Sequence, residues 1–504
     1  MKNVLELLER ANHAYPLKTA FADEAYALTF GELTAKAKSI GTALAAQLAC
    51  RNRPIAVLMR KEPDALAAFF GAAYSGNFYV VLDCESPNDR LDNILHTLSP
   101  AALITKPELA EKAAALAFDG PVLDFDTLAA AESDKNALKV IRDAMIDTDP
   151  LYALFTSGST GTPKGAVVSH RSVLAYAEWV TETFTINENT VFGSQTPFYF
   201  SMSVLDVYAT IMAGATFHII PKAFFSFPVK LLEFLNERRV NTIYWVPSAM
   251  CIIANWKVFD YVQVPTLKKV LFAGEVMPVK QLNYWIRSLP GRFFANLYGP
   301  TEVTDICAYY VVNREFTDDQ TLPIGRACNN CGLAVIRDDG TEAAPGEEGE
   351  LIVRGSFLAM GYYDNPERTA KAFTQNPLNP HYPETVYHTG DLVKYNEYGE
   401  LEYITRKDFQ IKHMGYRIEL GEVEAAVNAL DFITACVSVY DAATDTIVLI
   451  YEGKKCDDQK VYDGIRPRLP DYMMPGLYKK VKNMPYNANG KLDRAWLKAH
   501  YQEL

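Results

Sequence analysis

Short apolar runs bounded by turn residues alternate with longer amphipathic stretches along most of this chain. The runs RPIAVLM (53–59), FYVVLD (78–83), AALIT (101–105) and TIYWVP (242–247) are compact and rich in β-branched or aromatic side chains. That is the texture of strands buried on both faces. Between them, EPDALAAFFGAAYSG (62–76) and SVLAYAEWVTETF (172–184) keep apolar residues recurring over helical lengths. The alternation predicts an α/β protein with a largely parallel sheet. Near residue 340 the pattern changes. CGLAVIRDDGTEAAPGEEGELIVRG (331–355) reads as short strands joined by Gly-rich turns, with Asp338-Asp339-Gly340 as a hairpin signal, so a small all-β element is expected there. After GELEYITRKDFQIKHMGYRIEL (399–420), a last segment carries its own helices and strands and is long enough for a small domain.

The opening MKNVLELLERANHAYP reads as a helix interrupted by charges, without the continuous apolar core of a signal peptide. The longest apolar region, ALAAFFGAAYSGNFYVVL (65–82), is broken by Ser75, Gly76 and Asn77, which predicts helix, turn and strand rather than a membrane span. At 504 residues, 49% hydrophobic and 22% charged, the chain has ample core material for two or more domains. A net charge of −12 and a pI near 5.3 argue against a nucleic-acid-binding surface and leave room only for a local basic pocket around a small anion. The 8 cysteines are spread thinly, as in a reduced, cytoplasmic protein. Cys328 and Cys331 have half a zinc-knuckle spacing, but no second pair follows, so a turn is expected.

FTSGSTGTPKG (155–165) is the densest cluster of glycines and hydroxyls. LYALF before it suits a buried strand and SHRSVLAYAEWV after it suits a helix. A strand, Gly-rich loop and helix in that order can surround an anion with backbone N–H groups. The order differs from a Walker loop, since Pro163 precedes Lys164 and Gly165 follows it. A flexible linker is the other reading.

YALFTSGSTGTPKG resembles the signature loop of the adenylate-forming superfamily, which includes acyl-CoA synthetases, luciferases and the adenylation domains of nonribosomal peptide synthetases. Further family-like blocks follow in order: NLYGPTE (296–302), GELIVRGSFLAMGYY (349–363), YHTGD (387–391), RKDFQIKHMGYRIELGEVE (406–424) and NGKLD (489–493). The resemblance implies a large N-terminal adenylation domain (1–407), built from two α/β sheets and a β-barrel-like element, and a small mobile α+β C-terminal domain (408–504). It implies ATP and Mg²⁺ as cofactors and a two-step reaction in which a carboxylate is adenylated and the acyl group then passes to a thiol. By the same resemblance, Thr156, Ser157, Gly158, Ser159, Thr160 and Lys164 hold phosphates. Thr301 touches the α-phosphate and Glu302 holds Mg²⁺. Tyr298 packs on adenine with Asn296 at its edge, Gly274, Glu275 and Gly299 adjoin the nucleotide, and Asp391 and Arg406 contact the ribose. Lys491 is the mobile lysine that bridges carboxylate and phosphate in the transition state. Asp408 is the hinge, and rotation about it withdraws Lys491 while the loop around Gly415 approaches the thiol channel. Thr405 stands where the family usually has glycine. Taken singly, Asp391 and Lys491 read as solvated surface groups. Glu419, Glu422 and Glu424 read as structural groups complementing a helix N-terminus.

Total length, LFAGEVMP, LPIGRACNNC, DFQIKHMGYRIEL and RLPDYMMP resemble the stand-alone ligases that load D-alanine onto a separate carrier protein, which implies a phosphopantetheine-bearing partner. The implied acid pocket is lined by Ser201, Met202, Leu205, Tyr244, Leu271, Ala273, Leu297, Asp305 and Ile306. It departs from the pattern: YFSMSVLD places Ser201 where amino-acid-activating relatives have aspartate, and Ala273 stands where the D-alanine ligases have cysteine. A hydroxyl supplies no ion pair for an α-ammonium. Asp305, at a usually apolar position, would pair with an amine one carbon further out, as in a β-amino acid such as β-alanine. The alternatives are a hydroxy or aryl acid with Asp305 turned away, and an acyl-CoA synthetase using coenzyme A as acceptor.

Overall fold

A computed structural model describes residues 1–156, 163–407, 410–485 and 492–504. Ser157, Gly158, Ser159, Thr160, Asp408 and Lys491 lie outside the described residues.

The apolar runs are the central strands of two sheets. Val191–Ser194, Thr242–Trp245, Lys269–Ala273 and Phe293–Tyr298 lie side by side in parallel within a nine-stranded sheet, whose edges are antiparallel. Pro54–Leu58, Phe78–Val81, Ala102–Thr105 and Pro150–Thr156 form the parallel centre of a seven-stranded sheet. Every residue of Pro54–Leu58, Phe78–Val81 and Thr242–Trp245 is buried, as their unbroken apolarity requires. Helices form where local chemistry starts them. Thr29 closes a capping box with Glu32 ahead of Phe30–Leu48, and Ser169 caps His170–Thr183. Ser75 to Asn77 break the apolar region as expected, between helix Pro63–Tyr74 and strand Phe78–Val81.

The glycine-rich segment departs from the expected strand, loop and helix. Pro150–Thr156 is followed beyond the loop by a second strand, Lys164–Ser169, antiparallel to it, and only then by the helix. Gly165, Ala166, Val167 and Val168 are small or β-branched and pair with Phe155 back to Tyr152, so sheet pairing takes the residues that were expected to lead into a helix. Where the described chain resumes it enters a strand and not a helix N-terminus.

The predicted β element is a five-stranded antiparallel sheet containing Cys331–Ile336, Gly349–Gly355 and Thr385–Tyr395. Its first hairpin turns at Asp338 to Gly340, where the Gly340 N–H donates to Arg337 O at 2.9 Å. The Cys328–Cys331 segment is a turn, closed by the Cys331 N–H on Cys328 O at 3.1 Å.

Strands from Gln410 onward pair only with one another among the described residues: a hairpin, Gln410–His413 with Tyr416–Glu419, and the three-stranded sheet Ile433–Asp441, Thr446–Gly453 and Leu477–Lys480. Ile418, Val423, Val427, Leu449, Tyr451 and Ile465 make a core of their own. All three acidic residues at this helix start do more than complement a dipole, and Glu419 accepts from Gln410 Nε2 at 2.5 Å. Glu424 accepts from Arg494 Nη1 at 2.6 Å and from the Ser438 N–H at 2.7 Å, and Glu422 pairs with Arg90 in the first part of the chain. Burial of both carboxylates demands such partners. No helix among the described residues is long and apolar enough to cross a membrane.

Candidate active site

The carboxyl ends of parallel strands in the nine-stranded sheet open into a cavity of about 540 Å³, closed on its other side by the hairpin from Gln410 to Glu419. Such strand ends gather loop residues from several elements at one place. Gln195 and Thr196 follow one strand, Val246 a second, Gly274 a third and Gly299 a fourth, and all five face this space.

Glu302 lies next in sequence to Thr301 of the cavity wall and is fully buried behind it. Its Oε2 accepts from Arg417 Nη1 at 2.6 Å. Its Oε1 accepts from the Tyr362 hydroxyl at 2.7 Å and faces Lys164 Nζ at 3.1 Å. Burial alone would raise this carboxyl, but the Arg417 and Lys164 charges and the Tyr362 hydrogen bond outweigh it and hold Glu302 well below the usual carboxylate range. Burial, with Arg417 and Arg368 nearby, lowers the Lys164 ammonium to about 8 against the pull of Glu302. In this orientation Glu302 does not fit a magnesium ion, because both oxygens are engaged by two cations and a hydroxyl. No group of three or more His, Cys, Asp or Glu side chains able to hold a metal occurs among the described residues.

A second polar cluster joins the five-stranded sheet to the site. Asp391 and Arg406 face each other as register partners on adjacent strands, and Arg406 Nη1 donates to Asp391 Oδ1 at 2.7 Å. The Tyr298 hydroxyl donates to the other oxygen, Oδ2. Lys412, from the hairpin, holds its ammonium 5.3 Å from the Tyr298 ring centroid, so one face of that ring is occupied by a cation. Asn296 is buried and spends its amide on Pro323 O at 2.9 Å, which turns it toward the sheet edge.

The third cluster surrounds Asp305, which is 1% exposed. Its Oδ2 accepts from the hydroxyls of Tyr176 at 2.7 Å and Tyr244 at 3.1 Å. Burial pushes its carboxyl up to about 7, and hydrogen bonds from Tyr176, Tyr244 and Ser201 with the charge of Lys412 only partly offset this. Ser201 accepts from the Thr301 hydroxyl at 3.4 Å. Asp305 and Ser201 therefore meet, one carrying the carboxylate that the other lacks. The backbone is tight here: a Cβ on Gly299 would stand 2.2 Å from Asp305 O, so only glycine lets the two segments approach. Thr304 is held at φ 70° with its hydroxyl on Phe357 O at 2.7 Å, a strained conformation between Glu302 and Asp305.

Of the expected acid-pocket residues, Ser201, Met202, Ala273, Asp305 and Ile306 line the cavity. Leu205, Tyr244, Leu271 and Leu297 are buried beside it and are not part of its wall. Tyr244 is withdrawn because its hydroxyl is committed to Asp305. Thr156, Gly274, Gly299, Thr301, Asp391 and Arg406 also line the cavity, and the Thr156 hydroxyl is buried with no partner among the described residues. Glu275 stands at the hairpin, where its carboxylate accepts from the N–H groups of Ser248 at 2.8 Å and Gly415 at 2.6 Å. The hairpin tip is thus pinned to the strand end at Gly274.

Four contributors escaped sequence reasoning. Arg417, Lys412 and Tyr362 sit inside the blocks that carry the family resemblance, so their signal was present but unassigned. Tyr176 lies mid-helix in SVLAYAEWV, where nothing distinguishes it from a core aromatic.

Residues 8–363 match the family model described as AMP-binding enzyme. The chain is 29% identical to D-alanine--D-alanyl carrier protein ligase of Bacillus cytotoxicus, over 97% of this chain and 98% of that protein. It is 30% identical to the protein of the same name from Bacillus cereus, with the same coverage. Among solved structures it resembles the Vibrio cholerae adenylation domain AlmE in complex with glycyl-adenosine-5'-phosphate, with a TM-score of 0.84, 20% identity and coverage of 99% and 98% of the two chains. A pocket of buried carboxylates and cations at parallel strand ends, in a chain matched over most of its length, makes this protein a member of the AMP-binding enzyme family, an ATP-dependent, AMP-forming acid ligase.

Proposed function

We propose that this enzyme activates a small amine-bearing carboxylic acid as its acyl-adenylate and transfers the acyl group to the phosphopantetheine thiol of a separate carrier protein. The carrier is supported by relatives named as D-alanyl carrier protein ligases over nearly the whole chain. The amine is supported by one observation above all: Asp305 is a buried carboxyl in the cavity wall, held by Tyr176, Tyr244 and Ser201, with the Lys412 charge only partly offsetting its burial. An ammonium set back by one carbon, as in β-alanine, supplies the missing charge partner. Tyr176 and Tyr244 orient Asp305 and occupy the depth that a larger side chain would need, which favours a small acid.

The roles of the phosphate-facing groups follow from charge. Lys164 offers a desolvated cation to phosphate oxygens, and the Thr301 hydroxyl offers a donor beside the acid pocket. Asp391, fixed by Arg406, presents acceptor capacity to ribose hydroxyls. Magnesium would reach Glu302 only with Arg417 withdrawn. The hairpin orientation seen here, with Gly415 bound to Glu275, therefore suits the thioester-forming step, and the adenylating step requires the segment beyond residue 407 to turn away. A cytoplasmic setting rests on the thinly spread cysteines, all of them free thiols.

Acid-dependent ATP–pyrophosphate exchange across D-alanine, L-α-amino acids, β-alanine, hydroxy acids and aryl acids tests the proposal. Exchange with β-alanine or D-alanine is expected; exchange confined to hydroxy or aryl acids would sink the amine reading. A comparison of carrier thiol with coenzyme A in the second step separates carrier loading from acyl-CoA synthesis.

The pH dependence carries a sign. Asp305 binds an ammonium only when ionised, and its carboxyl in the free enzyme is raised to about 7. The kcat/KM for an amine-bearing acid should fall toward tenfold per pH unit below that value. Asp305→Asn should remove this limb. Because the folded value lies above the unfolded one, Asp305 costs stability as pH rises from about 4 to 7, so the same variant should melt higher at pH 8, by up to about 4 kcal/mol.

A further inference from the structure

Arg90 lines the cavity, and its side chain also reaches across to Glu422 in the C-terminal unit. Arg90 is on helix Asn88–Leu98, beside the seven-stranded sheet, whereas Glu422 is in the first turn of helix Leu420–Asn428, which belongs to the unit that begins at the hairpin. Both side chains are buried, at 7% and 6% exposure. Arg90 Nη1 donates to Glu422 Oε1 and lies 3.9 Å from the Met473 sulfur, so both of these partners of the guanidinium come from the C-terminal unit. Glu422 Oε2 is buried with no hydrogen-bond partner among the described residues. Next to the pair, Tyr472 stacks on Tyr416 with ring centroids 3.7 Å apart, and Tyr416 meets Phe200 edge-on at 4.8 Å. Phe200, Tyr416 and Tyr472 all line the cavity.

A desolvated ion pair adds little net stability, but it strongly disfavours any arrangement that leaves one partner buried alone. An ion pair between two units that turn relative to each other therefore selects one orientation. In the other orientation both groups return to water at no such cost.

We propose that Arg90 and Glu422 are positioning residues for thioester formation: their ion pair latches the C-terminal unit in the orientation that places Tyr416 and Gly415 against the cavity. The inference rests on the two-step reading above. The latch acts on the second step alone, because the adenylating orientation does not contain it.

The test uses the full chain and separates the half-reactions. Arg90→Ala, Arg90→Lys and Glu422→Gln are assayed for ATP–pyrophosphate exchange with β-alanine or D-alanine, whichever the wild type activates. They are then assayed for single-turnover transfer from preformed adenylate to 4′-phosphopantetheine. In Glu422→Gln exchange should stay within about twofold of wild type while transfer slows at least tenfold; transfer should slow likewise in Arg90→Ala and less in Arg90→Lys. The charge-exchanged double variant R90E/E422R should recover most of the transfer rate. Unchanged transfer in both single variants overturns the latch. So does an equal loss of both half-reactions without recovery in the double variant, since that is what a merely structural contact would give. If the wild type exchanges but forms no thioester, the two-step reading fails, and the latch with it.

Discussion

Asp305→Ala is expected to lower exchange with an amine-bearing acid by roughly 10²- to 10³-fold, most of it in KM, while hydroxy or alkyl acids of the same size lose little or gain. The reason is local. Two tyrosine hydroxyls converge on one carboxylate oxygen, and with the carboxylate gone they are left without an acceptor in a site that excludes water. Selectivity therefore inverts rather than fading uniformly. The measurement is kcat/KM for β-alanine, D-alanine and propionate in both proteins. An unchanged order of preference would show that Asp305 does not read the substrate. Asp305→Glu would sharpen the result, since the longer side chain would displace the ammonium position by one methylene and favour a shorter acid.

Glu302→Gln is expected to be the most damaging single change in the protein. The substitution keeps shape but removes the carboxylate that both Lys164 and Arg417 touch, so the two cations face each other across a buried amide. Breaking a buried pair from one side costs about 3–5 kcal/mol, so the melting temperature should drop measurably. Both half-reactions should fall by roughly 10²-fold or more, because Lys164 loses the group that keeps it protonated and Arg417 loses its dock. Pairing Glu302→Gln with Arg417→Gln should restore much of the stability while leaving adenylation impaired. If the double variant melted no higher than the single one, the charge argument for this site would be wrong.

Much of the fold was legible in the apolar runs, because a strand buried on both faces has no other way to be written. The β element was legible at Asp338-Asp339-Gly340, where turn chemistry is local. The helix expected after the glycine-rich loop is present as His170–Thr183, but the strand before it was missed, since Lys164–Ser169 is short and strand only by virtue of its partner Pro150–Thr156. Pairing between distant elements is not written in either segment alone. The site shows the same division. Thr301, Asp391 and Arg406 line the cavity and each lies within a motif that stands out locally in the sequence, whereas the Tyr176 contact with Asp305 joins residues 129 positions apart and has no local signature. The acidic helix start was read as a dipole effect because the partners of Glu422 and Glu424 lie 332 and 70 residues away.

The register of Asp391 against Arg406 has a mechanical consequence. These two residues are tied both through their side chains and through the ladder between Thr385–Tyr395 and Leu401–Arg406, which continues back to Tyr395 and Leu401. The chain leaves that ladder immediately afterwards, and the hairpin that reaches into the cavity begins at Gln410. A nucleotide held by the pair would therefore sit on the fixed side of a bearing while the hairpin swings on the other. On the proposed two-step reading, such a ligand would stay clamped through both steps as the groups around it are exchanged, and the intermediate would not need to be released to be handed on.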